Sequence, residues 1–460
     1  MEDRARNRLL AVLFVGVLMG ALDIAIVGPA LPAIQRGFGV GNAAIAWIFN
    51  VYVLFNLMAT PLMAKLSDRF GRRRIYTLDV ALFGIGSLVV ALSPSLTVLL
   101  VGRAIQATGA GGIFPVASAV IGDTFPAEKR GRALGIIGAV FGLAFLVGPL
   151  LGGLLLQLSW HWLFLINLPV AAWLLVASQR LVPDVRTADS SPFDWAGVGT
   201  LSLLLAGLAL GLSRLDSAAL LSSLVSWSVG PFLLLALVLL PVFWSVERRA
   251  ADAVLRPRLL ASGQVRLVGL FAAGAGLSEA AMVFLPSLAV SSLGVGEATA
   301  SFMLLPLVVA LAIGSPTAGR VLDALGSRIV VVAGLALTAA GLFVFGAAST
   351  SLAGFIVASA LTGLGLSALL GAPLRYILLR EAGEADRGAS QGLLTVFTSM
   401  GQLVGGALVG AVAASSAGGF PRALTVLAVV MAVMLVPSFG LAGRRRERAS
   451  VPEGSGGAAN

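Results

Sequence analysis

Three ionisable side chains stand inside long apolar runs of this 460-residue chain: Asp23, Arg103 and Glu279. A charge in an apolar medium is costly unless it is paired or reaches water, so residues placed this way are functional candidates. A carboxylate in such a place can take up and release a proton, or hold a cation. Asp23 and Arg103 lie at similar depth in their runs, roughly 9 to 14 Å from the same end at 1.5 Å per residue, and can meet. Asp23 reads as a proton-binding carboxylate whose state is decided by competition between Arg103 and burial, so that helix movement changes its occupancy. The alternative is a permanent ion pair that ties two helices together. Glu279 lies near the middle of its run, with no basic residue at comparable depth in the second half. It reads as a proton carrier, an anchor for a cationic ligand, or a hydrogen-bonded structural acid. A fourth residue, Asp79, is close to the start of its run and is expected to pair with the arginines before it rather than to act.

Other chemistries are excluded. With no cysteine and one histidine, His161, the chain has neither a disulfide, a thiolate metal site nor an imidazole cluster, so no metal is expected. None of its Gly-rich runs ends in the Gly-Lys-Ser/Thr needed to hold a nucleotide, so ATP is not the energy source. The only sizeable polar stretches are 183–194, 247–265 and the tail after 443, none of which accommodates a soluble catalytic domain. No catalytic residue and no cofactor are expected, and the protein is not read as an enzyme.

The elements that would carry these residues follow from composition. Hydrophobic residues make up 58% of the chain and charged residues 11%, with a mean hydropathy of +0.99. Apolar stretches of spanning length recur throughout, each able to cross a hydrocarbon layer of about 30 Å. They lie near 9–33, 45–66, 74–93, 97–122, 132–156, 162–181, 195–213, 225–246, 266–291, 299–318, 329–348, 351–374, 389–414 and 422–441. The first, preceded by Arg4, Arg6 and Arg8, resembles a signal peptide but is too long and keeps Asp23, so it is read as retained. With the N-terminus cytoplasmic, all but four of the 31 Lys and Arg fall on the cytoplasmic side. The exceptions are Arg36, Arg214 and Arg422 outside, and Arg103 within a span. That asymmetry is the positive-inside bias, and fourteen spans with both termini inside satisfy it. The net charge of +10 therefore reports orientation, and no nucleic-acid partner is expected. The basic tail from Arg444 to Arg446 either stops the last span or touches anionic lipid.

The chain also repeats itself at an offset of 255 to 257 residues. Ala64, Asp68, Gly71 and Arg73 match Gly319, Asp323, Gly326 and Arg328; Arg130, Gly131, Gly148 and Gly153 match Arg387, Gly388, Gly405 and Gly410; Asp23 matches Glu279. The expected fold is an all-α membrane protein of two six-helix bundles with two inserted central helices. Its parts are an N-terminal bundle (1–182), a linker with two spans (183–264), a C-terminal bundle (265–443) and a cytoplasmic tail (444–460). Parallel repeats of this kind build secondary transporters, with the substrate site near the midplane between the halves.

The motifs resemble those of the major facilitator superfamily, in particular its fourteen-helix drug:proton antiporter branch. The loop from Ala64 to Arg74 is similar to the superfamily's motif between its second and third helices, with Ala64 where glycine is usual. The run from Leu100 to Gly109 resembles the proton-coupling motif, and Gly142 to Gly153 the antiporter motif. Leu22 to Pro32 and Trp160 to Pro169 point to the fourteen-helix branch, although Ala25 and Gly28 depart from its usual threonine and asparagine. Proton coupling is expected to rest on Asp23, Arg103 and Glu279. The resemblance implies a cytoplasmic gate of Asp68, Arg69, Gly71, Arg72 and Arg73, completed by Asp123, that latches the halves in the outward-facing state. It also assigns Gly148, Pro149, Gly152 and Gly153 to the antiporter seam. That seam, with Gly131, Gly135, Gly138 and Gly142, reads as a bendable contact that blocks proton leak, or as ordinary small-residue packing.

Candidates for a substrate cavity are Asn50, Asn56, Gln106 and Gln402, beside Met282, Phe284 and Trp47. Lining this apolar favours hydrophobic cargo over sugars. The expected function is export of lipophilic or cationic amphiphilic compounds in exchange for protons, by a monomer in the bacterial inner membrane. Lipid or glycolipid export is the alternative, and a nutrient symporter the remoter one.

Overall fold

The computed structural model describes residues 3–186, 194–216, 219–250, 257–382, 387–415 and 419–444. The tail beyond Arg444 and the loop positions 187–193 and 251–256 lie outside them, as do the side chains of Gly131, Gly135, Gly138 and Gly142.

Every regular element among the described residues is a helix. In chain order the long helices are α1 (Asp3–Phe38), α2 (Asn42–Phe70), α3 (Arg72–Ala91), α4 (Leu96–Thr124), α5 (Ala127–Leu155), α6 (Trp162–Leu181) and α7 (Trp195–Ser213). They continue as α8 (Gly230–Arg249), α9 (Gly263–Val283), α10 (Glu297–Leu325), α11 (Ser327–Ala347), α12 (Leu352–Glu381), α13 (Arg387–Ser415) and α14 (Gly419–Ser438). Thirteen of the chain's helices are long and apolar enough to cross a membrane among the described residues. The helix not counted among them, α5, is 29 residues long and covers the stretch expected near 132–156. The first helix continues through Pro29 and Pro32 to Phe38.

The repeat is visible in the backbone. Gly71, between α2 and α3, and Gly326, between α10 and α11, have φ of +103° and +89°. Each lets one span turn directly into the next, in a conformation that costs a residue with a Cβ. Helix starts are capped where polar residues fall at the ends of apolar runs. Ser95 Oγ accepts from the Val98 amide at the start of α4, and Ser351 Oγ from the Gly354 amide at the start of α12.

In lipid there is little hydrophobic drive between helices, so close packing of small residues holds them. A side chain at Gly86 of α3 would collide with the backbone of Gln106 on α4, and one at Gly109 of α4 with the backbone of Asp79 and Phe83. The corresponding helices of the second half, α11 and α12, approach in the same manner through Gly341 and Gly365.

The first six and last six spans meet at the end of the bundle opposite the termini. There Asn42 Nδ2 donates to the Ala413 carbonyl at 3.0 Å, and Ser301 Oγ to the Pro149 carbonyl at 2.7 Å. Arg36 pairs with Glu297. Glycines let the backbones close up: Gly28 against Val283, Gly152 against Ser301, Gly153 against Phe302 and Gly410 against Ala46. The inserted pair packs α8 on α7, and α7 in turn on both α2 and α13. On α8, Leu234, Leu237 and Leu240 are exposed, as a lipid-facing surface requires.

If close approach holds α3 to α4, Gly86→Ala destabilises the purified protein by about 1–3 kcal/mol through overpacking. Gly199 of α7 faces open space, so Gly199→Ala leaves thermal unfolding in detergent unchanged or slightly raised. Equal behaviour of the two variants would refute the packing argument.

Candidate functional site

Asp23 and Arg103 meet in the interior of the first six spans, where both are essentially inaccessible. Arg103 Nη1 donates to Asp23 Oδ2 at 2.6 Å and to Gln106 Oε1 at 2.6 Å. Gln106 Nε2 donates to the second Asp23 oxygen at 2.7 Å and to Ser87 Oγ at 2.9 Å. Asn167 Nδ2 reaches the same Ser87 hydroxyl at 3.3 Å. The guanidinium lies over the Tyr52 ring, 4.1 Å from its centroid, and its Nε points to the Ile48 carbonyl at 3.4 Å. Five helices, α1, α2, α3, α4 and α6, thus each contribute to one closed polar network.

The local reasons are simple. Arg103 and Gln106 are three residues apart on α4 and so share a face. Gly86 lets α3 sit directly on the Gln106 backbone, which brings Ser87 to the amide. An arginine offers donors only and cannot shed its charge, so a buried one must find acceptors and an aromatic face, and here it has both. The arrangement has one titratable acceptor, Asp23.

Glu279 lies apart from this network. It is half-buried on α9 and takes a side-chain hydrogen bond from Gln402 of α13, within the second half. The two acids that correspond across the repeat therefore have different partners: a cation and an amide for Asp23, an amide for Glu279.

The loop candidates also assemble. Arg72 reaches Asp68 at 2.5 Å and Asp123 at 2.9 Å, and donates to Ser67 Oγ at 2.7 Å. Arg73 Nε donates to the Val182 carbonyl at 2.5 Å, while Arg69 is exposed above the Phe70 ring. Asp79 does not join them. It is fully buried, and neither of its oxygens has a hydrogen-bond partner, against the expected pairing with the arginines. The reason is the helix geometry: Asp79 faces Gly112 of α4, away from the loop.

Of the cavity candidates, Gln106 is taken up in the Asp23 network and Phe284 stacks on Phe420 with centroids 6.0 Å apart. Met282 is buried and Asn56 half-buried. Asn50 is buried between the halves beside Gly406 of α13, with neither amide atom hydrogen-bonded. A cavity of about 370 Å³ lies at the end opposite the termini, lined by Gln35, Arg36, Asn42, Ser287 and Phe420 among others. Ser87 and Asn167 belong to the network and were not singled out from the sequence. A serine and an asparagine inside apolar runs, with Gly86 beside the serine, are the signal that could have found them.

Comparison with known proteins agrees with this architecture. The sequence pattern of the Major Facilitator Superfamily matches residues 13–281 and 267–459. The chain is 36% identical over 410 residues to the MFS-type transporter YfiU of Bacillus subtilis (strain 168), covering 87% of this chain and 78% of that one. Multidrug transporter protein MdtP of the same organism is 27% identical over 421 residues, covering 89% and 76%. Among solved structures, a POT family transporter in complex with 5-aminolevulinic acid has a TM-score of 0.69 at 17% identity, covering 94% of this chain and 95% of that one. That likeness concerns the fold alone.

Removing one member of a buried pair strands the other, at a cost of about 3–5 kcal/mol. Asp23→Asn and Arg103→Gln should each lower thermal stability in detergent by such an amount. The double variant should recover most of the loss, and simple addition of the two effects would show that the residues are not coupled.

Proposed function

Because the chain belongs to the Major Facilitator Superfamily, we propose that it is a secondary transporter that exports lipophilic or cationic amphiphilic compounds in exchange for protons. The observation that carries the reading is the closed Asp23–Arg103–Gln106 network, a carboxylate acceptor within a buried network contributed to by five helices. Binding a proton there changes the charge balance of the helices it joins, and this is the coupling that an alternating-access transporter requires. The relation to a multidrug transporter supports the cargo class, as does the sparse polarity of the candidate cavity residues.

In this reading the termini are cytoplasmic and the membrane is the bacterial inner membrane. The two halves, 1–182 and 265–443, rock about a midplane site, and the present conformation is sealed toward the outside. The Arg36–Glu297 pair, with the contacts of Asn42 and Ser301, is the outer seal. Glu279, held by a neutral amide, anchors a cationic cargo or carries a second proton.

Reconstitution into liposomes with an imposed pH gradient, offering a cationic dye and a labelled lipid side by side, tests the reading. Dye-driven proton flux is expected; flux triggered by the lipid alone would make it a lipid exporter, and transport of either without proton flux would remove the coupling. Glu279→Gln should reduce cationic dye transport at least tenfold and leave a neutral cargo within about twofold, if Glu279 is the anchor. Equal effects on both would exclude that role.

The outer seal makes a separate prediction. An exposed ion pair is worth up to about 1 kcal/mol, so Glu297→Gln should raise the outward-open population by no more than about fivefold. The chain has no cysteine, so a cysteine introduced by Asn50→Cys reports that opening through its labelling rate from outside. No change in labelling would mean that the pair does not help to seal the outer end.

A further inference from the structure

Asp79 is fully buried on α3, and both carboxyl oxygens lack a hydrogen-bond donor. Its surroundings contain nothing that would stabilise a negative charge. On its own helix the nearest titratable group is Tyr76, whose hydroxyl is turned away to the Val12 carbonyl of α1. From α4, the facing positions are Gly109 and Gly112, and a Cβ at Gly112 would overlap the Asp79 carboxyl. The charged groups of α4 lie to either side and are committed elsewhere, Arg103 to Asp23 and Asp123 to Arg72. Asp23 of α1 is held by Arg103, and Asp68 of α2 by Arg72. The charge of α6, Arg180, is exposed. Among the described residues no group of three or more His, Cys, Asp or Glu that could hold a metal includes Asp79.

An ionised carboxylate without a donor or counter-charge is strongly disfavoured in an apolar seam, whereas the neutral acid is tolerated. The seam itself is built from glycine. No side chain of α4 lies over the carboxyl at Gly112, so only the packing of α3 against α4 separates it from water. Its position is also apt. Asp79 is about 10 Å along α3 from Arg72 and about 12 Å from Ser87, at 1.5 Å per residue. It stands between the charged cluster at the terminal end and the Asp23 network.

We propose that Asp79 is a further proton-binding carboxyl, which holds its proton while α3 and α4 are closed on it and exchanges it with water when the seam between them opens. In release, the carboxyl O–H bond breaks and the proton passes to an entering water molecule; in uptake, a hydronium ion re-forms that O–H bond and leaves as water before the seam closes. The role in transport rests on the antiport reading above; the protonation of Asp79 does not.

Infrared spectroscopy of the full chain in lipid at neutral pH tests it. A protonated carboxyl gives a C=O stretching band that ionised carboxylates lack. The band is expected in the wild type, in an Asp23→Asn, Glu279→Gln variant, and in no Asp79→Asn protein that carries those two changes. Absence of the band from the Asp23→Asn, Glu279→Gln variant would overturn the proposal even if Asp79→Asn fails to fold. In liposomes, Asp79→Asn alone should cut dye-driven proton flux at least tenfold while dye binding stays within twofold. A band that disappears with Asp79→Asn but leaves the flux unchanged would make Asp79 a structural acid and overturn its part in transport. The infrared measurement needs no transport, so failure of the antiport reading is recognised separately.

Discussion

The structure is organised around the difficulty of keeping Arg103 charged while it is buried. A guanidinium cannot be neutralised by losing a proton, so the fold has to surround it. Asp23, Gln106, the Ile48 carbonyl and the face of Tyr52 do so from three helices, and Ser87 and Asn167 extend the polar chain to two more. Once these contacts are required, the relative rotation of α1, α2, α3, α4 and α6 has little freedom left. The glycines of α3 and α4 then follow, because the polar side chains meet only if the backbones come close.

Much of this could be read from the chain. Continuous apolar stretches mark spans with little ambiguity, because in hydrocarbon only a helix satisfies its own backbone. The repeat pairs Gly71 with Gly326, and both adopt the same unusual backbone at matching turns. The meeting of Asp23 with Arg103 was legible from depth alone, since depth in a membrane is a coordinate that sequence spacing supplies. The cluster of Arg72 with Asp68 and Asp123 was expected from the family resemblance of the loop, and those side chains do meet.

Rotation about each helix axis was harder, since it depends on which neighbour packs where. For that reason Asp79 seemed within reach of the arginines, yet its side chain turns to Gly112 instead. Gln106 and Phe284 read as cavity residues, but one satisfies Asp23 and the other stacks on Phe420. A run that is apolar all round carries almost no signal about which side faces lipid and which faces protein.

The placement of the inserted helices constrains how the molecule can move. Helix α7 lies against α2 from the first half and α13 from the second, and so covers the line along which those halves touch. On the other flank α5 and α10 meet directly, with Gly152 and Gly153 against Ser301 and Phe302. Any separation of the halves must break that seam on one flank and drag or shear α7 on the other. The two flanks would therefore yield differently, one by parting a glycine contact and the other by bending or sliding a bridging helix.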